Sequence, residues 1–87
     1  MYKKNQSILT EVLDGEGAIL LDENTEMVYV LNEIGYYIWE NIECNTIESL
    51  ADRIYKNASN KNEYTLKKIH DYVLEYINTL VNKGLVV

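Results

Sequence analysis

The stretch TEMVYVLNEIGYYIWE, Thr25 to Glu40, decides the fold. Up to Leu31 it is rich in β-branched and aromatic residues, as a strand is. In such a strand Met27, Tyr29 and Leu31 face one way and Val28 and Val30 the other. Both sets are apolar, which predicts a strand covered on both faces. Asn32 then changes the period. It is a good N-cap, and Glu33 places a negative charge where the helix dipole favours it. Ile34, Ile38 and Ile42 recur at spacing four, joined by Trp39, and predict a helix over about Glu33 to Glu43. Gly35 lies inside that helix at a cost of about 1 kcal/mol against Ala, so it predicts close packing on a neighbour. Strand and helix form one fused unit, the end of the first capping the second.

Working outward, SILTEV (Ser7 to Val12) alternates weakly, and AILL (Ala18 to Leu21) is a compact apolar run of strand length. Asp14, Gly15 and Gly17 supply the turn between them, and DENTE is the hairpin loop before Met27. The three runs predict an antiparallel meander. Thr46 caps a second helix with Ile47, Leu50, Ala51, Ile54 and Ala58 at spacings of three and four. NASNKNE breaks it, because Asn and Ser compete for backbone hydrogen bonds. A last helix runs from about Tyr64 to Lys83, with Gly84 as its C-cap and Leu85, Val86 and Val87 as a short extended tail. The expected architecture is α+β and winged-helix-like, a three-stranded antiparallel sheet followed by three helices, in one domain over residues 1–87.

Composition bounds the function. A chain of 87 residues buries roughly 60 to 65% of its unfolded surface and leaves little room for a deep cavity. The net charge of −6 and pI near 4.6 remove long-range attraction to nucleic acid and favour basic partners. Eight Tyr and no Phe make the aromatic surface amphipathic. Cys44 is the only cysteine, no leader opens the chain, and no apolar run is of membrane-spanning length, so a cytoplasmic domain without membrane association is expected. One His and one Cys cannot assemble a metal site, and His70 reads as a boundary histidine. Phosphate-binding loops and nucleophile elbows are absent. The expectation is a protein that is not an enzyme by itself, with no cofactor.

What remains is surface. On the last helix the apolar arc runs from Tyr76 through Ile69, Leu80, Val73, Leu66 and Ile77 to His70, Val81 and Leu74. It covers about 160°, wider than a surface helix needs. Either this helix is the central one of a small core, or one margin of the arc lines a groove. The third strand lies at an edge of the meander, and neither Pro, Lys nor a bulge blunts it between Met27 and Leu31. An extended peptide could add there as a fourth strand.

Three segments, DGEGAILLDENTEMVYVLNEIGYYIWENI, TIESLADRIY and YVLEYINTLVNKGLV, resemble the PqqD-like proteins, recognition elements for ribosomally made and modified peptides. The likeness covers about Ser7 to Val86, and its most specific pieces are Leu31-Asn32, Gly35, Ile38, Trp39 and Gly84-Leu85. It implies a winged-helix-like domain that binds a precursor's leader peptide on the third strand, in a cleft against the third helix. Such a domain delivers the precursor, as a peptide chaperone, to a separate modifying enzyme: a radical SAM protein, or a leader protease and cyclase. Carried over, the peptide-binding positions are Met27, Val28, Tyr29, Val30 and Leu31 on the strand and Leu66, Ile69, His70, Val73 and Leu74 on the helix. Relatives often carry an acidic residue directly before the VLEYI-like run; here Tyr72 stands there, with Asp71 one place earlier. A winged-helix DNA-binding regulator and a subunit that only stabilises a partner enzyme are the alternatives. The partner set is therefore a leader peptide and a modifying enzyme, with no nucleic acid and no membrane, for a monomer or a homodimer paired through the edge strand.

Overall fold

In the computed structural model, which describes residues 2–57 and 65–87, strands β1 (Ile8–Leu13), β2 (Gly17–Asp22) and β3 (Val28–Leu31) precede helices α1 (Glu33–Asn41), α2 (Ile47–Asn57) and α3 (Leu66–Asn82). The sheet is the expected antiparallel meander in the order β1-β2-β3, so β3 is an edge. Ala18 pairs with Leu31, Ile19 with Val30, Leu20 with Tyr29 and Leu21 with Val28. Paired residues share a face, so Leu20 and Leu31 point to the helices and Ile19 and Val30 away from them.

Turn chemistry sets this register. The carboxylate of Asp22, buried at the end of β2, accepts the N–H of Asn24 at 2.9 Å and the hydroxyl of Ser7 at 3.2 Å. Those bonds, with the backbone amide of Asn24 foremost, hold its pKa below the usual carboxylate range. The loop closes with Glu26 at φ 60, and Asp22 donates its N–H to Met27 at 2.9 Å. At the other hairpin Gly17 has φ 102, and a β-carbon there would run into the carbonyl of Leu31. Only glycine lets β2 lie so close to the end of β3.

Asn32 caps α1 as expected, its Oδ1 accepting the N–H of Gly35 at 2.7 Å. The buried side of α1 is Gly35, Ile38 and Trp39, with Ile42 beyond its end; Ile34, read as part of the stripe, is 44% exposed. The true stripe advances by three and four from Gly35, so the small residue faces inward and the isoleucine before it does not. Thr46 caps α2 and Thr65 caps α3, whose expected start at Tyr64 lies outside the described residues, as do Ala58 and most of NASNKNE. The core joins Leu20 and Leu31 of the sheet to Ile38, Trp39 and Ile42, to Leu50 and Ala51 of α2, and to Ile69, Val73, Ile77 and Leu80 of α3.

The C-terminus completes it. Gly84 takes φ 75, Leu85 donates back to Leu80 at 3.0 Å and Gly84 to Val81 at 3.0 Å, a Schellman closure that turns Leu85 against Leu80. The tail then pairs with the N-terminal arm: Lys3 and Val87 exchange N–H···O bonds at 2.9 and 2.7 Å, and Asn5 donates to Leu85 at 3.0 Å. The tail's backbone is thus used by the arm and does not cover β3.

Candidate functional site

β3 is a run of Val, Tyr, Val and Leu with one neighbour. Hydrogen-bonded and non-hydrogen-bonded pairs alternate along an antiparallel ladder. Since Asp22 bonds to Met27, the bonded pairs in this register are Leu20 with Tyr29 and Ala18 with Leu31. The N–H and C=O of Val28 and Val30 therefore point away from β2, and no backbone group of another described segment meets them. The side chains of Val28 and Val30 are 59% and 72% exposed, which corrects the expectation of a strand covered on both faces. The apolar outer set faces solvent, because all three helices pack on the Leu20 side.

Beside this edge, on the helix side of the sheet, lies a cleft of about 260 Å³. Its strand wall is Val28 to Leu31, its helical wall is Tyr76, Thr79, Leu80 and Lys83, and Leu85 closes it. Gly35 positions Tyr76. A β-carbon at 35 would collide with the Tyr76 hydroxyl, so the glycine admits the phenol against α1, and the ring lines the cleft. Burial, then repulsion from the charge Tyr72 would carry when ionised, its ring centroid 5.9 Å away, pushes the Tyr76 pKa upward, and the phenol stays neutral. Lys83 rests its ammonium 5.5 Å from the centroid of Tyr29, a cation–π contact that leaves its donors available at the rim. The arrangement can hold an extended chain by its backbone, take an apolar side chain between Tyr29, Tyr76 and Leu80, and meet a carboxylate at Lys83.

The strand positions expected to bind peptide fall where the edge is: Val28 and Val30 carry the free backbone groups, Tyr29 and Leu31 face the cleft, and Met27 lies exposed just before the strand. On the helix the structure brings none of the five expected residues to the cleft. Ile69 and Val73 are buried in the core, Leu66 and Leu74 are exposed, and His70, half-buried, reaches toward Glu48 of α2 with Nε2–Oε1 of 3.8 Å. The cleft uses the Tyr76 margin of the apolar arc, in the last two turns of α3. The signal for it was present in Gly84, which fixes where the helix ends and sends Leu85 back beneath it. A larger hollow of about 410 Å³ lies elsewhere, between Tyr2 and the α1–α2 loop. Among the described residues no three His, Cys, Asp or Glu side chains gather as a metal site would require, and no helix is long and apolar enough to cross a membrane.

Fold and site together define a winged-helix-like α+β domain with an unpaired, apolar strand edge beside a helix-walled cleft. The chain belongs to the PqqD family: the family described as coenzyme PQQ synthesis protein D matches residues 17–86. Two solved structures share the fold. TbiB1, in complex with the TbiA(beta) leader peptide, superposes with a TM-score of 0.81 at 22% identity, over 97% of this chain and 93% of that one. A lasso peptide synthetase B1, complexed with its leader peptide, gives 0.84 at 14% identity, over 99% and 96%. No curated protein matches the chain.

Proposed function

We propose that the chain binds the leader region of a ribosomally synthesised precursor peptide as a fourth strand on β3 and delivers it to a separate modifying enzyme, a radical SAM protein or a leader protease and cyclase. The chain itself is non-catalytic in this reading and works in the cytoplasm, where the precursor is made. The observation that carries it is the open edge of Val28 and Val30 directly above the cleft. Family membership and two neighbours of the same fold that hold leader peptides support it.

The energetics say what the leader must supply. Ordering about five leader residues costs roughly 1 to 2 kcal/mol each, while the bonds to Val28 and Val30 return about 0.5 to 1.5 kcal/mol apiece. Backbone pairing alone leaves a deficit. Two or three apolar leader side chains, at about 1.5 to 3 kcal/mol each when buried, offset it. The residue opposite Tyr29 points into the cleft, and its neighbours lie over the outer face. Specificity therefore resides in the side chain that enters between Tyr29, Tyr76 and Leu80.

Titration calorimetry with the leader of the precursor encoded beside this chain tests the reading. Binding is expected, and Val30→Pro should weaken it about tenfold or more while the variant still melts cooperatively. The N–H of Val30 points outward, so proline removes no native ladder bond yet withholds one from the incoming strand. Absence of heat with the wild-type chain at about 100 μM leader would sink the proposal.

A further inference from the structure

Apart from its margin at β3, over which flanking leader side chains would lie, the outer face of the sheet has no role assigned above, and it is bare. Leu9, Leu21 and Val28 form one row across the three strands, and Glu11, Ile19 and Val30 the next. Leu9 is 52% exposed, Val28 and Val30 more so, and Ile19 and Leu21 are half-buried only by their strand neighbours. Apolar surface of this extent on a small domain marks a contact surface.

Charge identifies what covers it. From Asn5 to Asp52 the sequence holds no Lys or Arg, and Glu11, Asp14, Glu16, Glu23 and Glu26 are all exposed on the strands and turns of the sheet. Lys83 lies over Tyr29, on the opposite face. Glu11 stands in the second of these rows, and the turns between the strands add further carboxylates and no Lys or Arg. A second copy would set one anionic rim against another, which costs association energy. A partner with an apolar patch rimmed by Lys and Arg would complement it.

We propose that this face docks the modifying enzyme, through a patch of that chemistry on the enzyme. The inference rests on the leader-binding reading, because a leader strand on β3 would extend the same face by the two side chains opposite Val28 and Val30. Enzyme and leader would then meet on one continuous surface, and the loaded chain would present more of it than the empty one.

The test is the affinity of the full chain for the modifying enzyme encoded beside it, with leader affinity measured in parallel. Leu9→Lys and, separately, Glu11→Lys set a cation against the enzyme's basic rim on the strand farthest from the open edge. Each should weaken enzyme binding about tenfold or more and leave leader affinity within about twofold. Glu11 is exposed, so its variant still reports if Leu9→Lys folds poorly. Wild-type enzyme affinity in both variants, with leader binding intact, overturns the docking surface and leaves the leader reading standing. A chain that sediments as a dimer and becomes monomeric on Leu9→Lys overturns it too, by giving the face to a second copy. If the wild-type chain binds no leader, the earlier reading fails by its own measurement.

Discussion

The two halves of α3 carry one apolar arc and do two jobs. In the first half Ile69 and Val73 are buried, and His70 reaches Glu48, so this half is committed to α2 and the core. In the second half Tyr76 is only half-buried, Leu80 is buried yet lines the cleft, and Lys83 lies over Tyr29, so this half looks toward the open strand. Periodicity tells which side of a helix is apolar; it does not tell what that side meets. The neighbour is chosen by long-range features, here the Schellman turn at Gly84 and the hole left by Gly35.

That division predicts that the halves respond differently to truncation. The largest loss of stability belongs to Ile69→Ala, about 2 to 5 kcal/mol by denaturant titration, with leader affinity unchanged for the folded molecules. Tyr76→Ala should cost less stability, about 1 to 2 kcal/mol for a half-buried ring, and weaken leader binding about tenfold or more in calorimetry. Leu74→Ala, at a position 38% exposed on the far margin, should change stability by less than about 0.5 kcal/mol and leave leader binding intact. A clear loss of leader affinity in Leu74→Ala would break the comparison and return the binding wall to the first half of the helix.

Much of the fold was readable because its signals are local. The period change at Leu31-Asn32, the turn glycines and the caps at Asn32, Thr46 and Gly84 each act within a few residues, and the elements formed where they point. The exposed edge was readable for the same reason, since a meander of three strands must leave its last strand open. The helical wall was not. Leu66, Ile69, His70, Val73 and Leu74 share the arc with Tyr76 and Leu80, and only the packing of α3 on α2 and the turn at Gly84 that brings Leu85 to the cleft separate them. The expected cover on Val28 and Val30 erred similarly: apolar residues on both faces of a strand fit a buried strand and an open docking surface equally well.

The smallest effect concerns the link that holds the first half of α3 to α2. Glu48, in the first turn of α2, accepts a hydrogen bond from its own backbone N–H, the largest influence on its carboxyl. A smaller desolvation opposes it, and His70, 3.8 Å away, adds to it. Together they set its folded pKa below the ordinary 4.5. A carboxylate depressed by folding stabilises the native state above its unfolded pKa, and the contribution disappears as pH falls through the lower, folded value. Glu48→Gln keeps the size of the side chain and removes the charge. Wild type should therefore melt slightly higher than the variant at neutral pH, and the two curves should converge as the pH falls below the ordinary carboxyl value of 4.5. The gap stays small because the side chain is 77% exposed and solvent screens the pair. Leader affinity at neutral pH should be the same in both proteins, since Glu48 meets α3 at His70, in the half that faces away from β3; a difference would mean that the two halves are coupled after all.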